Sequence, residues 1–286
     1  MIPTSPVALV SPIRPPASPT AFAVVAWGLL TLWVFAWLLG PTVVSVLDLS
    51  LNPQGHAPLH AHGHPFVDAR SWWGVPNTLD VLSNLPLVLA GSAGFWCLRG
   101  RTLVRSTSHA LSVFFVGLIL SGLGSATYHW APDAGSLVID RLGMAVAFAG
   151  VLALSVAERV GLRESRCFLP LVLALALVSA ALPHLQGNVL PWAVVQFGGM
   201  GLVLWVAARP PVPGALGVSW VGLIALYAVA KLLELGDEAV FRATGEWVSG
   251  HSLKHVAAAC AALPVLCSLR QHRLGDNPPV HPAAMG

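Results

Sequence analysis

The sequence predicts an all-α integral membrane protein: a polytopic helical bundle with a seven-span core and one further span ahead of it, eight in all. Three observations predict it. Of 286 residues, 56% are hydrophobic and only 9% are charged, against about 25% charged in an ordinary soluble domain. The mean hydropathy is +0.74. Eight stretches approach or reach the ~20 apolar residues that a helix needs to cross a hydrocarbon core. The same composition excludes disorder, which requires low apolar content. The 27 glycines and 23 prolines show no period that would suggest collagen or a linker. A membrane barrel would show short alternating runs, and there are none.

The first apolar stretch, 21–40, follows a Pro/Ser-rich tail whose one basic residue is Arg14. Its run is long for a signal-peptide core and no A-x-A-like site follows, so it reads as an uncleaved span. Residues 1–76 hold this tail, the extra span and a loop with GHAPLHAHGHPF. The loop histidines His56, His60, His62 and His64 read either as solvated polar residues or as a surface metal-capture site. The spans 78–98, 109–130, 136–157, 167–184, 189–208, 215–235 and 249–269 then form one membrane domain over 77–270, without an internal repeat. A polar tail, 271–286, closes the chain. Cys97, Cys167, Cys260 and Cys267 form no CxxC pair and give no disulfide framework.

Orientation follows from counting basic residues. Arg14, Arg99, Arg101, Arg105, Arg159, Arg163, Arg166, Arg209, Arg270 and Arg273 fall on one side, ten of the fifteen basic residues in the chain. Arg70 and Arg242 lie opposite, and Arg141, Lys231 and Lys254 fall within spans. This bias predicts a multi-pass protein of the cell membrane with both termini cytoplasmic. Trp72, Trp73, Trp130, Trp192 and Trp247, near span ends, suit the aromatic belts. The net charge of +3 is spread over short loops, so nothing suggests a nucleic-acid partner.

Ionisable groups inside a bilayer are costly and mark function or a paired structural role. The span ending in SATYHW carries Ser125 and His129 one turn apart, and the next begins SLVIDR with Asp140 and Arg141. The last span opens SGHSLKH, which puts His251 and His255 at i and i+4. The orientation, derived without these residues, places all of them at the outer membrane face. Three imidazoles plus an open position make a catalytic zinc site, and i,i+4 histidines on one helix can share a metal. Tyr227, Lys231 and Glu234 share one stripe of the seventh span, where Lys231 and Glu234 read as a structural ion pair.

The order S-x3-H, then Asp in the following span, then H-x3-H in the last resembles the CREST superfamily of membrane hydrolases. That group includes the alkaline ceramidases and the progestin/adiponectin receptors. The chain is most similar to bacterial members of the alkaline ceramidase (phytoceramidase) family, from Phe66 to about Leu269. FVDARSWWGVPNTLDVLSNLPL, GSATYHWAPD, IDRLGMAVAF, LYAVAKLLEL and VSGHSLKH carry the resemblance. It implies that His129, His251 and His255 ligate Zn2+. It further implies that Asp140 acts as general base on the zinc water, and that Ser125 holds that water or the developing oxyanion. The implied substrate is a lipid amide such as ceramide. Eukaryotic members carry an acidic calcium-binding stretch ahead of the first core span. Here the matching segment has Asp68 and Asp80 but no carboxylate cluster, so the resemblance does not extend to calcium. The receptor branch shares the same residues, which leaves a membrane sensor with a structural zinc as the alternative to an enzyme. A transporter is a third reading, disfavoured by polar groups at one membrane edge rather than at its midplane. Headgroup, chain length and oligomeric state are not legible.

Overall fold

A computed structural model of the chain describes residues 17–51 and 66–275. Arg14 and the loop histidines His56, His60, His62 and His64 lie outside the described residues. The chain runs as α1 (Pro19–Leu51), α2 (Thr78–Leu82), α3 (Leu85–Leu98), α4 (Arg105–Trp130), α5 (Ala134–Arg159) and α6 (Leu162–Gln186). It continues through α7 (Leu190–Ala193), a π turn (Val194–Gly198) and α8 (Gly199–Ala207), which together make one span. Then follow α9 (Trp220–Leu235), α10 (Asp237–Ala243), α11 (Gly250–Cys260) and α12 (Leu263–Gly275). Among the described residues the one β feature is an isolated bridge between Trp72 and Val75.

Among the described residues, seven stretches are long and apolar enough to cross a membrane: Pro19–Val46, Thr78–Leu98, Arg105–Trp130, Ala134–Arg159, Leu162–Gln186, Leu190–Ala207 and Gly250–His272. The eighth expected span, 215–235, is helical only over the 16 residues of α9, about 24 Å of helix. The sequence before it, RPPVPGALGVS, explains the late start. Its prolines break the hydrogen-bond ladder, and Gly214 and Gly217 adopt φ of +79° and +75°. Glu158, at the end of α5 and 1% exposed, ties this segment down. Its carboxylate accepts from the backbone N–H groups of Leu216 (2.5 Å), Gly217 (3.0 Å) and Val218 (3.1 Å). Ser219 then caps α9 by accepting from Gly222 N.

Helix α1 also departs from expectation, because it passes through Pro41 instead of ending at residue 40. Pro41 has no N–H for the carbonyl of Trp37, and a bare carbonyl is expensive in lipid. Asn188 supplies the missing donor: its Nδ2 gives to Trp37 O (3.2 Å) and Ala36 O (3.0 Å). Gly40 admits the amide, since a Cβ there would lie 2.2 Å from Asn188 Oδ1.

The centre of the bundle is the antiparallel pair α4–α5, which meets through a seam of glycines. A Cβ on Gly117 would lie 2.1 Å from Ala147 N, and one on Gly124 would lie 2.7 Å from Ile139 O and 3.2 Å from Asp140 Cα. From the other side, a Cβ on Gly143 would meet Ser121 N at 2.4 Å, and one on Gly150 would meet Phe114 N at 2.2 Å. Without a hydrophobic force between helices in lipid, small residues that let backbones touch are what hold such pairs. The register is fixed at the start of α5 by a reciprocal cap. Ser136 N donates to Asp133 Oδ1 (2.7 Å) and Asp133 N donates to Ser136 Oγ (3.0 Å). The exposed Asp133 carboxyl is held below the usual carboxylate range by that backbone donor.

The two ends of the bundle differ in kind. At one end Arg159 donates to Arg209 O (2.6 Å), Arg101 to Leu269 O, and Ala17 N to Arg159 O (3.2 Å). At the other, Asn77 donates to His129 O (2.8 Å) and Arg70 to Trp247 O (3.0 Å). The arginine-rich loops therefore gather at the end away from the histidines.

The seam predicts a matched pair of outcomes. Gly117→Ala should lower the stability of the detergent-solubilised protein by about 1–3 kcal/mol, the usual cost of overpacking. Gly28→Ala, on α1 where nothing lies within 4 Å of the added carbon, should be neutral or stabilise by up to about 1 kcal/mol. Thermal unfolding midpoints of the two variants check this.

Candidate metal centre and its cavity

Helix α4 brings Ser125 and His129 to its last turns, and both are buried, at 4% and 1% exposure. Helix α11 supplies His251 and His255. Its start is fixed by Ser249, whose Oγ accepts from Ser252 N (2.9 Å). Two carboxylates hold this end in place. Asp80 Oδ1 accepts from Ser252 Oγ (2.6 Å) and Ser249 Oγ (3.3 Å), and Asp237 Oδ1 accepts from His251 N (2.8 Å). Gly250 lets α11 press on α9, for a Cβ there would lie 2.3 Å from Leu233 O.

The three predicted ligands come together. One ring nitrogen from each of His129, His251 and His255 lies within 4.8 Å of the others, and all three residues are buried. The ring centroids stand 4.8, 5.2 and 4.9 Å apart. His129 Nε2 and His251 Nε2 are 3.1 Å apart. Bonds of ~2.0–2.1 Å at tetrahedral angles put neighbouring donors ~3.3 Å apart, so the spacing fits one small tetrahedral cation. The tautomer of His255 also fits. Ser83 Oγ donates to Asp80 O (3.1 Å) and therefore accepts from His255 Nδ1–H (2.8 Å), which leaves the Nε2 lone pair facing the cluster. His129 Nδ1 is buried with no hydrogen-bond partner. Donor set and spacing suit zinc.

Ser125 links this cluster to Asp140. Its Oγ lies 3.4 Å from His255 Nε2 and its hydroxyl faces the Asp140 side chain. Asp140 is not among the clustered ligand groups. It lies on the wall beside them, in the field of Lys254 and Arg141. Phe66 covers the cluster, its ring 5.0 Å from His129 and 6.4 Å from His251. The segment behind Phe66 is pinned by an Asp68–Arg70 ion pair at 2.7 Å.

The three histidines, Ser125, Asp140 and Phe66 open onto one cavity of about 560 Å³, within the usual range for a ligand site. Its walls are mostly apolar, with Phe114, Leu118, Met144, Val203 and Leu223 among them. The expected Lys231–Glu234 pair is present at 2.6 Å, yet it is not isolated. Lys254 joins Glu234 at 2.7 Å, and all three line the same cavity as the histidines. Tyr227 lines it too, packed on Phe148, as does Gln196 of the π turn.

Sequence reasoning missed Ser83, Phe66 and Gln196, and placed Lys254 only as a residue within a span. Lys254 lies between the two histidines of α11, so its spacing could have signalled it. A π turn leaves no such signature. The chain matches no protein-family model and no curated protein.

The cluster predicts about one tightly bound divalent ion per chain, measurable by elemental analysis after dialysis. His251→Ala should remove most of it. Ser83→Ala should keep the fold and weaken metal affinity about 10–100-fold, the typical loss for an outer partner of a ligating histidine.

Proposed function

We propose that the chain is a zinc-dependent hydrolase of the cell membrane that cleaves the amide bond of a lipid, in the manner of the alkaline ceramidases it resembles. The observation that carries this reading is the juxtaposition of a buried three-histidine group and the Ser125–Asp140 pair at one apolar cavity. A zinc ion held by three imidazoles supplies Lewis acidity toward a carbonyl and toward a water. Asp140, beside the cluster and oriented by Ser125, takes the proton of the attacking water and delivers it to the departing nitrogen. His255 is kept in the ligating tautomer by Ser83. The apolar walls receive the acyl chain and exclude bulk water, which strengthens every charge interaction inside. The arginine bias supports cytoplasmic termini and a site toward the outer face.

Phe66 closes the cluster on one side, and that observation favours the rival reading, a membrane sensor of the progestin/adiponectin receptor type with a structural zinc. Turnover separates the two. Product analysis by mass spectrometry after incubation with a lipid-amide panel should detect free fatty acid. Its absence with every substrate would favour the sensor.

Asp140→Asn should retain metal and fold while hydrolysis falls by about 10²–10⁴, the usual loss with a general base. If Asp140 serves only to pair Arg141, the folded variant would hydrolyse at the normal rate. Cysteine-accessibility mapping should place Arg101 and Arg163 inside and Glu246 outside.

A further inference from the structure

The cavity holds more charge than amide hydrolysis requires. Beyond the histidines it is lined by Arg141, Lys231 and Lys254 and by Asp140 and Glu234. Asp140 lies in the field of both Lys254 and Arg141, so two carboxylates face three cations at this wall, and Lys231 and Lys254 share the Glu234 carboxylate. Glu234 is fully engaged: Oε2 accepts from Lys231 Nζ at 2.6 Å and Oε1 from Lys254 Nζ at 2.7 Å. Each ammonium carries three donors and gives Glu234 one of them. The side chains are only 30%, 19% and 19% exposed, so a surplus positive charge sits inside a membrane bundle. Such a charge is costly without a counter-ion, and Glu234 cannot balance both lysines.

The surplus lies beside the metal group. Lys254 follows His251 by three residues and precedes His255 by one, an axial offset of about 1.5–4.5 Å on a helix. An anion held there stands a few atoms from any bond presented to the histidines. Tyr227, one turn before Lys231 on α9, adds a hydroxyl to the same wall.

We propose that the ligand of this cavity is an anionic amphiphile, an N-acyl amino acid, whose carboxylate is held by Lys231 and Lys254 while its acyl chain lies along the apolar walls. In that class the carboxylate is one carbon from the amide nitrogen, which matches the placement of Lys254 beside the histidines. Neutral ceramide has no group for this pole. The inference rests on the hydrolase reading for its reaction. Water adds to the amide carbonyl, the C–N bond breaks, and both protons of the water end on the departing nitrogen. The products are a fatty-acid carboxylate and a zwitterionic amino acid, with net charge conserved at minus one.

The test compares N-oleoylglycine with its neutral isostere N-oleoylglycinamide, and with N-oleoylsphingosine, on the zinc-loaded full chain. kcat/KM should be at least tenfold higher for the acid than for the other two, and Lys231→Gln should erase that preference by raising KM for the acid alone. Equal rates on acid and amide, or preference for the sphingosine amide, would overturn the proposal. The wild-type comparison of acid and amide decides even if Lys231→Gln does not fold. Calorimetric binding to the wild-type protein separates this proposal from the hydrolase reading. If no substrate turns over, the hydrolase reading fails. A tenfold tighter Kd for acid than for amide would still support the anionic site, and equal Kd values would overturn it.

Discussion

The contact distance between α4 and α5 sets the geometry of everything at the histidine end. The seam pairs Gly117 with Ala147, Gly124 with Asp140, Ser121 with Gly143 and Phe114 with Gly150. On each helix the two glycines are seven residues apart, hence on one stripe. Because Gly124 lies against Asp140, its neighbour Ser125 reaches the Asp140 carboxylate. A side chain at any of these glycines would separate the helices by a fraction of an ångström or more. Ser125 and Asp140 belong to opposite sides of that seam, so they would separate with them. In lipid no hydrophobic penalty opposes such parting, so backbone contact is the restoring force.

The second dependence is on hydroxyl groups. A membrane interior offers few water partners, so most polar atoms of the site are satisfied by the chain itself, His129 Nδ1 being an exception. Serines do most of this. Ser83 joins His255 to the Asp80 carbonyl, Ser249 and Ser252 join the start of α11 to the Asp80 carboxylate, and Ser125 stands between His255 and Asp140. A hydroxyl can donate one bond and accept others, which lets it set a neighbour's proton without adding charge. The histidines are thereby oriented from α2 and α4 as well as by their own helix.

Fold class and the three-histidine group were legible because both are periodic. Apolar runs of span length need only composition, and S-x3-H with H-x3-H needs only the helical repeat. The parts that were not legible are those set by interruptions. Pro41 reads as a stop in the sequence, yet Asn188, far along the chain, satisfies the carbonyls that it frees. The stretch 215–235 reads as a span, yet Gly214, Gly217 and the Glu158 carboxylate hold its first residues out of helix. Lys231 and Glu234 read as a local pair at i,i+3, because local spacing does not show that Lys254 arrives from another helix to share the same carboxylate. In each case the missing information is a partner distant in sequence.

The long reach of α1 has a consequence for how the chain is assembled in the cell. Its partners, Ser179 on α6 and Asn188 beyond it, are made well after α1 itself: Trp33 Nε1 meets Ser179 Oγ across 146 residues. At typical elongation rates of about 5–20 residues per second, that gap of 146 residues is a wait of roughly 7–30 s. Through that interval the helix must reside alone among lipids. Its composition is suited to this, with a mean hydropathy of 2.2 in its most apolar 18-residue window and only 11% of that window buried even in the finished bundle. A nascent helix that satisfied its lipid surroundings less well would need a chaperone until α6 and α7 emerged. In α1 two polar groups wait for late-arriving protein: the Trp37 carbonyl freed at Pro41, met by Asn188, and the Trp33 indole N–H, met by Ser179.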